Sequence, residues 1–112
     1  MIERPDWDIT DGLRKYHEMG RSERDHLLAI QILGGSASGT DIMAVVQDLR
    51  GETVNHGVTY PTLDDLVTYD LVEKGSIDGR TNEYVLTDEG EDTLKMGMVA
   101  FSRRVSVGDQ SK

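Results

Sequence analysis

Asn55, His56, Thr59, Tyr60 and Thr62 gather hydrogen-bonding side chains around Pro61, at the front of a segment whose rear is apolar. Leu63, Leu66, Val67 and Leu71 recur at the three- and four-residue steps that line one helical face. The rear therefore has a side to bury, whereas the front gains little by packing inward. The front is expected to serve something outside the core. Catalysis is poorly supported by the other reactive side chains. His17, His26 and His56 are scattered, and no pair has metal-ligand spacing on one helix. Asp64 and Asp65 are adjacent and point in different helical directions, which suits a solvated face rather than an acid–base pair. With no cysteine, the chain has no disulfide, thiolate nucleophile or Cys-based zinc site. Neither an enzyme nor a cofactor is expected.

The elements that must position the polar front follow from capping and turn signals. Residues 1–21 form a polar leader in which Trp7, Ile9, Leu13 and Tyr16 suit one face of a short helix. Ser22 and Asp25 resemble a capping pair for a helix from about Glu23 to Leu33, with Leu27, Ile30 and Leu33, or Leu28 and Ile32, facing inward. GGSASG at 34–39 stops that helix, because paired glycines permit left-handed turns. It is no phosphate cradle: a Gly-Lys-Ser/Thr ending is missing, and a helix rather than a strand precedes it. Ser38 and Asp41 repeat the capping arrangement before a helix over Thr40–Arg50, with Ile42, Val45, Val46 and Leu49 as its buried stripe and Gly51 as its stop. Beyond the segment of the polar front, Val72, Ile77, Tyr84 and Leu86 mark two short strands joined at an Asp78-Gly79 turn, with Arg80 near the tip. Thr87 starts a last helix carrying Asp88 and Glu89 in its first turn, where the helix dipole favours negative charge. Leu94, Met98, Phe101 and Val105 run along one side of it.

A chain of 112 residues with 37% apolar content supports one domain with a modest core. No run of about 18 apolar residues could span a membrane, and the start lacks the order of a signal peptide, so a cytoplasmic protein is expected. We place the domain itself at 22–105 and a disordered tail at 106–112. The net charge of −9 would ordinarily repel nucleic acid. Two readings fit it: a domain that meets no polyanion, or one adapted to a very salty cytoplasm. At about 1 M salt the Debye length is roughly 3 Å, which lifts the long-range veto on a phosphate backbone.

Three helices, a two-stranded hairpin and a further helix give a mainly α, α+β fold: a winged helix-turn-helix with flanking N- and C-terminal helices. In that arrangement the third helix places its N-terminal residues against base edges in the major groove, and the hairpin is the wing. The residues also resemble a known family. Leu27 to Leu94 is similar to the PadR-like transcriptional regulators, with LLAIQILGGSASGTDIMAVVQDL matching the first two helices, VTYPTLDDLVTYDLVEKG the recognition helix, and EYVLTDEGEDTL the wing end and following helix. Tyr60-Pro61, Leu63, Leu66, Leu71-Val72, Tyr84, Leu86-Thr87 and Gly90 carry the likeness, and the acidic balance is similar to that of haloarchaeal members. The resemblance implies a homodimeric regulator that binds double-stranded DNA and has no catalytic site. Some salt-loving relatives govern stress responses, so a stress role is a further expectation. Family members often carry basic residues where this chain has Asp64-Asp65, and many have a longer C-terminal dimerisation region.

On this reading Asn55, His56, Thr59, Tyr60 and Thr62 contact the major groove, while Lys74, Arg80, Thr81 and Asn82 belong to the wing, with Arg80 suited to a narrow minor groove. For Tyr60 an alternative is that it only packs under the helix, although a tyrosine can bury its ring and still extend its hydroxyl to phosphate. Asn55 can also be a cap, and Pro61 is architectural, removing one donor near the helix start. Ser36, Ser38 and Thr40 are candidate backbone contacts. Leu94, Met98, Phe101 and Val105 are candidates for a two-fold interface, or for packing on the leader through Trp7 and Leu13; a dimer reads a palindromic site that one copy is too small to cover. Asp64 and Asp65 are a solvated face or, in a salty cytoplasm, hold salt ions between protein and phosphate. The rival to a DNA-binding regulator is a winged-helix module that binds proteins instead.

Overall fold

The computed structural model describes residue 14 and residues 16–97 of the chain. Helix α1 spans Arg21–Ile32, strand β1 Ser36–Ser38, helix α2 Gly39–Arg50 and helix α3 His56–Thr68; strands β2, Val72–Ser76, and β3, Asn82–Leu86, follow. Residues 88–97 are again helical and are called α4. The three strands form one antiparallel sheet in the order β1-β3-β2. Met98, Phe101, Val105, the leader residues Trp7, Ile9 and Leu13, and the 106–112 tail lie outside the described residues.

α1 begins two residues earlier than its capping signal suggests. Its N-cap is Gly20, which offers no side-chain cap, and Ser22 sits inside the helix with its hydroxyl turned to a partner across the core. His26, Leu27, Ala29 and Ile30 are its buried face, whereas Ile32, expected inward, is exposed. Leu33 leaves the helix, and Gly34 and Gly35 take positive φ, so that the Gly35 N–H closes on the Ile30 carbonyl at 2.9 Å.

SAS at 36–38 is a strand, which sequence patterning did not anticipate. Ser36, Ala37 and Ser38 face Val85, Tyr84 and Glu83 of β3, and the Leu86 N–H reaches the Gly35 carbonyl at 2.8 Å. Three small residues carry no alternation signal; the pairing comes wholly from a partner far along the chain.

α2 follows its expected course. The Ser38 hydroxyl accepts the Asp41 N–H at 3.2 Å, Ile42 and Val46 are fully buried, and Gly51 ends the helix at φ 69°. Leu49, expected in the buried stripe, is exposed. Across the next turn the Val54 N–H bonds the Gln47 side-chain carbonyl, and Val54 itself is buried. That anchor sets Asn55 at the mouth of α3.

Leu63 and Leu66 of α3 are fully buried, each burial stabilising the fold by about 1.5–3 kcal/mol. They meet Leu27, Ile30, Ile42 and Val46 in one core. Leu71 is buried too, but past the helix end, after Asp70 has turned the chain at φ 62°. The Leu71 carbonyl accepts the Thr87 N–H, and a Cβ on Gly90 would lie 2.1 Å from the same oxygen. No side chain fits at 90, so glycine lets α4 close on the end of α3.

The wing pairs Val72 with Leu86 through Ser76 with Asn82. Its turn is not the two-residue Asp78-Gly79 hairpin expected from the sequence. Residues 77–81 form the loop instead: the Asp78 carboxylate accepts the Arg80 and Thr81 N–H groups, each at 3.0 Å, and the Ile77 N–H bonds the Thr81 carbonyl. Only Gly79 within it has positive φ. A carboxylate that satisfies two backbone donors offers the chain an alternative to a tight ladder end. Ile77 consequently leaves the strand and is exposed.

Candidate nucleic-acid interface

The front turn of α3 is built from its cap outward. The Asn55 side-chain oxygen accepts the Val58 N–H at 3.1 Å, satisfying one orphan donor of the first turn. Asn55, His56, Gly57 and Val58 are exposed there, and Pro61, Asp64, Asp65 and Thr68 continue the exposed side. His56 and Tyr60, four residues apart, stack with ring centroids 5.6 Å apart and planes 4° from parallel. Tyr60 is half-buried, and its other neighbour is the start of α2. A Cβ on Gly39 would come within 2.7 Å of the Tyr60 Cε1 and 2.8 Å of its Oη. The ring thus joins the α3 front to the N-terminus of α2.

Thr59 and Thr62 correct the expectation that they face outward. Thr59 is fully buried and Thr62 nearly so, since they continue the Leu63 and Leu66 stripe backward along the helix. Their hydroxyls meet α1. Thr59 Oγ1 lies 3.0 Å from His26 Nε2, and Thr62 Oγ1 lies 2.9 Å from Ser22 Oγ. The bond directions follow from chemistry. Thr62 donates its one hydrogen to the Val58 carbonyl at 2.7 Å, so Ser22 donates to Thr62. His26 Nδ1 sits 2.7 Å from the Ser22 carbonyl, an acceptor only, so Nδ1 carries the proton and neutral Nε2 accepts from Thr59. Burial holds the His26 imidazole below its ordinary value of 6.5, opposed by the bond to the Ser22 carbonyl; Arg50 lowers it further and Asp25 raises it.

Arg80, Thr81 and Asn82 are exposed at the wing tip and the start of β3. The backbone bonds from Thr81 and Arg80 hold the Asp78 carboxyl below its usual range, keeping this tip carboxylate charged. Lys74 stands midway along β2, opposite Tyr84, rather than at the wing tip. Its Nζ is 4.0 Å from the Asp64 carboxylate and 6.0 Å from the centre of the Tyr84 ring, so it neutralises part of the acidic face of α3. Burial, then the Asp64 carboxylate, raises the Tyr84 phenol. Ser36 is taken up in β1 and Ser38 in its cap, while Thr40 is exposed at the start of α2.

The candidates therefore divide into groups. Asn55, His56 and Tyr60 come together at the front of α3, Arg80, Thr81 and Asn82 at the wing tip, and Thr59 and Thr62 behind the helix. Sequence reasoning missed Val58, whose exposed methyls share the front turn, and Ser22 and His26, which hold that turn from the rear. Continuing the stripe from Leu63 and Leu66 back to Thr59 and Thr62 was the available signal. Of the two alternatives given for Leu94, packing within its own chain is the one the structure shows, since it joins the core. Gly90, Thr93, Leu94 and Gly97 are the buried side of α4, where a Cβ on Gly97 would strike the Tyr16 ring.

Comparison with known proteins gives this arrangement its kin. The family model described as "Transcriptional regulator PadR-like family" matches residues 28–96. RosR of H. salinarum is similar in structure: in a complex it is 34% identical, covering 84% of this chain and 80% of that one with a TM-score of 0.78. RosR grown from NaBr is 36% identical over 78% of this chain and 77% of that one, TM-score 0.72. F93 from STIV, a winged-helix DNA-binding protein, shares the fold at 17% identity and a TM-score of 0.67, over 78% of this chain and 94% of its own. Among curated proteins none matches. With the family model spanning α1 through α4 and RosR following the same path over most of both chains, the protein belongs to the PadR-like family of transcriptional regulators.

Proposed function

We propose that the chain is a sequence-specific regulator that binds double-stranded DNA as a homodimer on a palindromic site. α3 enters the major groove and the wing tip lies in the adjacent minor groove. One observation carries this reading: the front turn of α3 is fixed from behind by buried hydroxyls, leaving Asn55, His56, Val58 and the edge of Tyr60 facing out. Asn55 and His56 supply polar contacts, and Val58 offers methyls to a thymine methyl. Arg80 supplies the charge that a narrow minor groove attracts. The net charge of −9 and the likeness to RosR of H. salinarum, grown from NaBr, support function in high salt; cations held between Asp64, Asp65 and phosphate and a role in a stress response are further parts of the proposal.

Selection of duplexes from a random pool in molar KCl tests the reading, followed by affinity measurements on the selected sequence. Wild-type protein enriches a palindrome. Arg80→Ala and His56→Ala each weaken binding by about 1–3 kcal/mol with folding intact. A module that binds proteins instead is the second reading, favoured by Asp64 and Asp65 on the outward side of α3. It predicts that no duplex is enriched at any salt concentration.

A further inference from the structure

The histidine behind α3 is used by none of the contacts proposed for DNA, yet it is fully buried and joined at both ring nitrogens. Nδ1 is fixed on the Ser22 carbonyl and Nε2 takes the Thr59 hydrogen. Ser22 in turn grips Thr62, which bonds the Val58 carbonyl. Two of these four links, to Thr59 and to the Val58 carbonyl, thus end in the turn that presents Asn55, His56 and Val58. Resting on the reading of α3 as the recognition helix, we propose that His26 is a positioning residue for DNA binding: through Thr59 it fixes how α3 presents its front turn, and taking up a second proton reverses that bond, displaces the Thr59 hydrogen and weakens the complex.

The chemistry of that reversal is local. A proton on Nε2 turns an acceptor into a donor, so Thr59 must accept and its own hydrogen must find another oxygen. The Asn55 carbonyl, already bonded by the Thr59 N–H at 3.2 Å, is the i−4 acceptor that helical threonines reach. Rearrangement is therefore passed to the capping residue of the front turn. The charged groups acting on the ring, among the described residues, are Arg50 from α2, which opposes the second proton, and Asp25 beside it on α1, which favours it. Asp25 is paired with Arg50 at 2.8 Å, so it is no free counterion for an imidazolium. α3 faces the ring with hydroxyls alone, Thr59 and Thr62.

The experiment is the affinity of the full chain for its selected duplex between about pH 8 and about pH 5, with folding followed by circular dichroism at each pH. Wild-type affinity falls as pH falls, by about tenfold for each unit by which DNA binding depresses the histidine's titration. His26→Gln keeps an acceptor near Thr59 and cannot titrate; it retains binding at the alkaline end and loses the acid decline. His26→Asn keeps the donor to Ser22 but falls short of Thr59, and Thr59→Val removes the hydroxyl; both bind weakly across the whole range, with the pH slope flattened. An unchanged slope in His26→Gln, or, should that variant not fold, in Thr59→Val, overturns the proposal, as does pH-independent binding by folded wild type. Failure to enrich any duplex at alkaline pH defeats the reading of α3 instead.

Discussion

His26 ties stability to pH, and the sign follows from its surroundings. Burial and Arg50 keep its folded value below the ordinary 6.5, so the unfolded chain binds the proton more readily. The stabilisation is present above about 6.5 and is lost as pH falls from there toward the folded value. Thermal midpoints measured across that window should decline on the acid side for wild type and stay level for His26→Gln. Thr59→Val leaves Nε2 buried without its donor and should cost about 1–3 kcal/mol of stability, measured by urea unfolding; a surface threonine would show almost none. At the wing the depressed Asp78 carboxyl works in the same pH direction. Its contribution to loop order is present above its ordinary value of 3.8 and fades as pH drops through the folded one, seen as loss of the Arg80 and Thr81 amide shifts in an acid NMR titration. Asn55, His56 and Arg80 were legible as surface groups because no apolar repeat includes them. Thr59 and Thr62 were misjudged because a hydroxyl is equally at home outside or, given a buried partner, inside, and the partners Ser22 and His26 stand more than thirty residues earlier.

Elements were legible wherever a local signal defined them. The Ser38 and Asn55 caps, the Gly51 stop and the leucines of α3 need only neighbours in sequence. β1 and the five-residue wing loop needed information no local pattern holds: one is defined by pairing with β3, the other by a carboxylate folding back on its own backbone. Gly90 belongs to the same class, as its meaning lies in the Leu71 carbonyl beneath it. Gly90→Ala should destabilise the fold by about 1–3 kcal/mol or more, since the clash is with backbone that cannot rotate away; the lowered denaturation midpoint checks it. Asn55→Ala removes a cap and should cost about 1 kcal/mol, with DNA affinity falling further than stability if the front turn is the contact surface.

Across the whole molecule the surplus of 21 acidic over 12 basic residues sets how binding responds to salt. A basic protein releases counterions from DNA and weakens steeply as salt rises. If cations enter between its carboxylates and the phosphates as proposed, this chain should instead hold or gain affinity in molar KCl; a steep loss on titrating KCl would contradict that. The central claim is that the outward side of α3 and the wing tip lie in neighbouring grooves of one duplex. The natural sequence has no cysteine, so single cysteines carrying an iron chelate can report position by cutting the strand nearest to them. Placed by Asp64→Cys on α3 and Ile77→Cys at the wing, the chelate should cut within and immediately beside the same half-site, whereas Asp48→Cys on α2 should cut weakly or not at all. Strong cutting from position 48 with none from 64 and 77, on a duplex the protein still binds, would contradict the account.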